Sequence, residues 1–159
     1  MHLYVIRHAI AEDAKSGQDD TSRALTEDGA RKFRKVVKGI RALELSFDRV
    51  LSSPWRRAAE TAKLLAPVND APLVTTELLA RPPSADLLSM LGETDRITAV
   101  VGHEPWLGEL IAWLAFGDPR RGEALLLKKG SVAWLDGTAV PGGMMLRAML
   151  SPMMLRRLR

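Results

Sequence analysis

Leu3-Tyr4-Val5-Ile6-Arg7-His8 opens the chain as a run of β-formers that ends by delivering a guanidinium and an imidazole side by side. Far along the chain, Ile97-Thr98-Ala99-Val100-Val101-Gly102-His103-Glu104-Pro105 repeats the layout, with Pro105 suited to open a helix. Ligands of open α/β sheets bind at the carboxyl ends of strands. Two strands that each end in histidine therefore predict an anion site with a nucleophile in it. A third strand end joins them. Asp48-Arg49-Val50-Leu51-Ser52 runs into Ser53-Pro54-Trp55-Arg56-Arg57-Ala58, which puts Arg56 and Arg57 in the first turn of a helix leaving the same edge. Free backbone N–H groups and the positive end of the helix dipole favour anions there.

Working outward, strands are expected over 2–6, 48–52, 97–101, 131–135 and 144–150, with a short extended piece near 73–76. Helical periodicity falls between them, over 26–42, 54–66, 84–91 and 105–115. Thr26 is placed to cap the first helix. Ser53-Pro54 reads as a cap-then-proline start, Pro67 as the end of that helix, and Gly92 and Gly117 as helix stops. The alternation predicts a three-layer α/β/α sandwich, a mostly parallel sheet with helices on both faces. Gly142-Gly143 predicts a hairpin joining the last two strands, hence an antiparallel edge.

The chain has 159 residues and 47% hydrophobic content, enough for one ordinary globular domain spanning 1–159. It contains no cysteine, which excludes disulfides and thiol catalysis, and no apolar run of membrane-spanning length. A cytoplasmic protein without membrane attachment is expected. The net charge of +4 raises the question of nucleic acid. Arg31, Lys32, Arg34, Lys35, Lys38 and Arg41 surround an apolar stripe of Ala30, Phe33, Val36, Val37 and Ile40, which reads as the solvated face of a helix. No stacking aromatics interleave these cations, so no nucleic-acid partner is expected. The basic tail, Arg156, Arg157 and Arg159, reads as a frayed end. Met144, Met145, Met149, Met153 and Met154 read as packing and tail residues.

Arginine forks suit phosphate oxygens, and clustered positive charge keeps an imidazole unprotonated and nucleophilic. No Ser-His-Asp or Cys-His set competes, and no spaced carboxylates suggest a metal. The residues then become recognisable. Arg7-His8-Ala9 after an N-terminal strand resembles the Arg-His-Gly signature of the histidine phosphatase (phosphoglycerate mutase-like) superfamily. Ser53-Pro54-x-x-Arg57-Ala58-x-x-Thr61 is similar to its second-arginine motif, and Val101-Gly102-His103 to its second histidine. Arg23-x-Leu25-Thr26-x-x-Gly29 matches the intervening segment. Together with the short length and Lys129-Gly130-Ser131, these blocks resemble the SixA-type phosphohistidine phosphatase branch.

The resemblance implies that His8 is transiently phosphorylated, with Arg7, Arg57 and His103 holding the phosphoryl oxygens and Arg23 a further contact. It implies no metal and no cofactor. Two departures stand out. Ala9 replaces the usual glycine, and the carboxylic acid that protonates the leaving group in many members has no clear match, Glu77 being nearest. That gap mildly favours P–N over P–O cleavage. The loop over 10–22, with Asp13, Gly17, Asp19 and Asp20, reads as polar and mobile, over a shallow pocket open to a phosphorylated protein.

The expected function is a phosphatase of phosphohistidine proteins. The alternatives are a small-metabolite phosphomonoesterase with the same residues, or a domain that binds a phosphorylated ligand without turning it over. A mutase would need a closed pocket. Simpler readings accompany the remaining residues: Arg56 faces solvent, Arg23 pairs with Glu27 or Asp28, and Glu104 starts a helix. Trp55, Trp106, Trp113 and Trp134 belong to the core. Oligomeric state is left open.

Overall fold

In the computed structural model, which describes residues 1–69, 71–93, 96–125 and 127–158, the strands form one sheet of order β3-β2-β4-β1-β5-β6. They are β1 (His2–Arg7), β2 (Arg49–Ser52), β3 (Leu73–Thr75), β4 (Ile97–Gly102), β5 (Val132–Gly137) and β6 (Met144–Leu150). β3, β2, β4 and β1 run parallel, while β5 is antiparallel to both β1 and β6. The helices are α1 (Glu27–Ala42), α2 (Arg56–Lys63), α3 (Ala85–Gly92), α4 (Trp106–Phe116) and the short α5 (Pro152–Leu155).

Alternation along β1 sorts the core into two layers. Leu3 and Val5 face a cluster with Leu87 and Leu91 of α3 and Leu110, Ile111 and Leu114 of α4. Tyr4 and Ile6 face the opposite cluster, with Phe33, Val36, Val37 and Ile40 of α1 and Ala58 and Ala62 of α2. Helices thus cover both sides of the sheet, as expected. The cations at 31, 34, 35, 38 and 41 point outward from α1.

Strand order does the functional work. β4 lies between β2 and β1, so Arg7 pairs with Gly102 in register and Ser52 with Val101. The chain leaves β1 toward α1 on one face and β4 toward α4 on the other. Neighbouring strands whose connections depart to opposite faces leave a crevice between their carboxyl ends. His8 and His103 are the first residues beyond those ends.

The first helix begins at Glu27 with Thr26 Oγ1 accepting from Gly29 N at 2.9 Å. Its start is pressed onto the loop after His8: a Cβ at Gly29 would meet the Ile10 carbonyl oxygen at 2.1 Å, so only glycine fits. Three boundary expectations need correction. α2 starts at Arg56 rather than Pro54, because Ser53 Oγ is turned toward His103 and Trp55 stands at the cap position with no side-chain cap. That helix ends at Lys63, and Pro67 sits in a separate 3-10 turn over Ala66–Val68. The C-terminal stretch is no frayed end: Leu155 is buried against α1, its carbonyl against Gly39. Arg159 lies outside the described residues. Gly117 ends α4 in the left-handed conformation, as its position suggested.

Candidate active site

Each of the adjacent strand ends is fastened before it offers a side chain. His8 N donates to Gly102 O at 3.1 Å and Ser53 N to Val101 O at 3.0 Å, which extends the sheet past its last formal residues. Thr61, one turn beyond Arg57 on α2, accepts from Ala9 N at 3.0 Å and donates to Arg57 O at 2.6 Å. The spacing of Ser53, Arg57 and Thr61 thereby acquires a physical meaning, since each reaches a different part of the histidine loops. Ala9 has an ordinary negative φ, so the alanine in place of glycine costs the backbone nothing.

The two imidazoles face each other, with ring centroids 5.3 Å apart, and both are buried, at 4% exposure for His8 and 2% for His103. His8 Nδ1 lies 2.7 Å from Ala9 O. A carbonyl can only accept, so the proton sits on Nδ1 and Nε2 carries the lone pair. Arg57 Nε donates to that lone pair at 3.3 Å. Burial lowers the His8 pKa to about 4; the upward pull of the Ala9 carbonyl comes next in size, and the charges of Arg57, Arg7 and Lys129 each lower it further. At neutral pH the ring is therefore an unprotonated base whose nucleophilic nitrogen faces the cations.

His103 Nε2 lies 2.8 Å from Ser53 Oγ. The same hydroxyl accepts from Trp55 N at 3.2 Å. Burial first, then the neighbouring His8 and Arg57, lower this pKa to about 3. His103 Nδ1 and Arg7 Nε are both buried without a hydrogen-bond partner among the described residues. A buried polar nitrogen left unpaired costs on the order of 1–3 kcal/mol, so two of them beside one imidazole mark a site shaped for a ligand. Arg7 is held in place through Nη1, which donates to Leu127 O at 2.6 Å.

Neutral buried histidines make folding pH-dependent. In the unfolded chain both titrate near 6.5, so between there and their folded values the unfolded state binds more protons, and stability falls as the pH drops through that window. Taking the sample from pH 7 to pH 5 should cost about 2 kcal/mol per histidine. Urea melts at the two pH values test this. A flat stability would show that the rings are not held neutral.

Arg57 has a partner that sequence reasoning did not single out. Its Nη1 donates to Asp20 O at 2.7 Å and its Nη2 to Asp20 Oδ2 at 2.9 Å. Asp20 Oδ1 in turn accepts from Arg23 Nε at 2.7 Å, while Arg23 Nη1 donates to Glu12 O at 2.9 Å. Partial burial pulls the Asp20 pKa up, but the hydrogen bonds and charges of Arg57 and Arg23 outweigh it and leave it lowered. The loop over 10–22, expected to be mobile, is thus tied across the site, with a 3-10 turn at Asp20–Ser22. Arg23 stands at the rim, paired to Asp20 rather than to Glu27 or Asp28. The available signal was the spacing of Asp20 and Arg23, within reach across one turn.

Other candidates lie apart. Arg56 is exposed and pairs with Glu60 at 2.8 Å. Glu77 is exposed, and its side chain has no hydrogen bond or ion pair among the described residues. Glu104 Oε2 accepts from Gly108 N at 3.1 Å in the first turn of α4, and burial pushes its carboxyl up. Trp55 and Trp106 belong to neither core cluster, contrary to expectation, whereas Trp113 and Trp134 pack on the two core layers.

Residues 3–80 match the family model of the histidine phosphatase superfamily (branch 1). An uncharacterized protein of Picosynechococcus is 35% identical over 145 residues, 87% of each chain. The phosphohistidine phosphatase SixA of Escherichia coli is 26% identical over 125 residues, covering 74% of this chain and 76% of its own. Among solved structures, the protein histidine phosphatase SixA complexed with tungstate superposes with a TM-score of 0.79 at 23% identity, covering 96% of this chain and 98% of that one. A phosphoserine phosphatase of Entamoeba histolytica, solved with 3-phosphoglyceric acid, shares the fold with a TM-score of 0.72 at 19% identity, covering 97% and 98%.

Proposed function

The chain belongs to the histidine phosphatase superfamily and is a phosphatase, and from that premise we propose that it hydrolyses phosphohistidine on proteins through a covalent phospho-His8 intermediate. One observation carries the reading. His8 Nε2, with its lone pair free of a proton, accepts from Arg57 Nε, and two further buried nitrogens of the site, Arg7 Nε and His103 Nδ1, have no hydrogen-bond partner among the described residues.

In the first step the Nε2 lone pair attacks phosphorus as the bond to the substrate's imidazole breaks. The departing ring keeps the bonding pair and takes a proton on its far nitrogen from solvent. His8 keeps its own Nδ1 proton on the Ala9 carbonyl, so the phosphorylated ring is cationic and a good leaving group. Water then attacks phosphorus, the pair returns to Nε2, and both water protons stay with the released phosphate. Arg7, Arg57 and His103 Nδ1 stabilise the charge on the equatorial oxygens, the larger part of catalysis for a loose transition state.

The leaving group favours P–N over P–O bonds. Asp20 is held ionised by two arginines, and the exposed Glu77 side chain is held by no hydrogen bond or ion pair among the described residues, so neither supports an acid for a poor alkoxide leaving group. A cytoplasmic setting, where phosphohistidine proteins would be met, accords with the cysteine-free composition. The test is a comparison of kcat/KM on a phosphohistidine protein with that on a panel of sugar, nucleotide and serine phosphates. An advantage of about a hundredfold for phosphohistidine is expected, since P–O cleavage forgoes the acid. A preference for any alkyl phosphate would assign the enzyme to small metabolites instead.

A further inference from the structure

The rings of this site continue outward from the nucleophile. His8 and His103 are buried, and Trp55 lies against His103 with centroids 4.5 Å apart. Trp106 meets Trp55 at 5.6 Å and His103 at 6.1 Å, edge-on to both. Both indoles are half-buried and outside the two core clusters, so packing does not account for them. Nor does helix capping: tryptophan is a poor N-cap, and Trp55 makes no side-chain cap at the start of α2. Arg57 Cζ lies 4.8 Å from the Trp55 ring, which ties the aromatic pair to the guanidinium that touches His8.

An in-line displacement puts nucleophile and leaving group on opposite sides of phosphorus. With both histidines buried, a leaving group opposite His8 points away from the interior, on the side where the half-buried indoles flank His103. We infer that Trp55 and Trp106 form an aromatic platform that selects planar leaving groups, the imidazole of a phosphohistidine side chain ahead of any alkyl alcohol. This rests on the phosphohistidine reading and extends it to residues outside the reacting set. A phosphoimidazole protonated on its far nitrogen is a flat cation until the P–N bond breaks, attracted to indole faces by stacking and by the ring quadrupole, and an alkyl phosphate ester gains neither.

Trp106 is the residue to change, because Trp55 also supports Arg57. The experiment measures kcat/KM for wild type, Trp106→Leu, Trp106→Phe and Trp134→Leu on a phosphohistidine peptide, phenyl phosphate and phosphoserine. Trp134 packs on Tyr4 and His2 at the opposite end of β1 and serves as the control. In Trp106→Leu, the preference for each planar leaving group over phosphoserine should fall by about tenfold. Trp106→Phe should restore most of it, and Trp134→Leu should leave it unchanged. Preferences that stay at the wild-type ratio in Trp106→Leu overturn the platform. A wild-type enzyme active on phenyl phosphate and phosphoserine but not on phosphohistidine sinks the functional reading instead, and the phenyl phosphate ratio then decides the platform alone.

Discussion

His8→Ala is expected to lose turnover by about 10⁴-fold or more, because it removes the proposed nucleophile and groups that act as a unit fail together. The phosphoenzyme formed by wild type should be acid-labile, as a phosphoramidate is, and absent from the variant. The measurement is a rapid quench with radiolabelled substrate, followed by acid and base treatment of the trapped protein. A label that survives acid, or that persists in His8→Ala, would put the covalent step on another residue.

The second large effect is Arg57→Ala, with a loss of about 10²–10³-fold in turnover, the usual result of removing one preorganised charge donor. Arg57 is nearly inaccessible and holds its geometry through Asp20 on one side and His8 on the other. The chemistry should therefore suffer far more than the fold. Asp20 keeps Arg23 as a partner at a half-exposed site, so the melting temperature should shift little. Arg57→Lys restores the charge but not the fork, and should recover only part of the rate. Near-normal single-turnover rates in Arg57→Ala would remove it from the reacting set.

Much of this was legible in the sequence for local reasons. Apolar runs ending in Arg7-His8 and in Gly102-His103 announce strands with chemistry at their tips, and a residue just past a parallel strand has little freedom in where it points. The apolar stripe of α1 and the glycines at 117 and 142–143 likewise act within a turn or two of themselves. The misreadings were of residues whose partners come from elsewhere in the chain. Ser53 was read as a helix cap, but its hydroxyl serves a histidine fifty positions away. Asp20 was read as part of a mobile polar loop, but a guanidinium from α2 pins it. Trp55 and Trp106 were read as core from their apolarity, and the core closed without them.

The order of elements, the positions of Arg7, His8, Arg57 and His103 at strand ends, and the solvated basic face of α1 were determined by sequence alone, because periodicity and local propensity suffice for them. Only the tertiary structure decided that β4 would lie between β2 and β1, bringing three strand ends side by side. It also decided the proton position on the His8 imidazole, the clamp on Arg57 and the place of two indoles outside the core. These depend on which groups desolvate one another, and burial and hydrogen-bond partnership are properties of neighbours in space that no local stretch of chain contains.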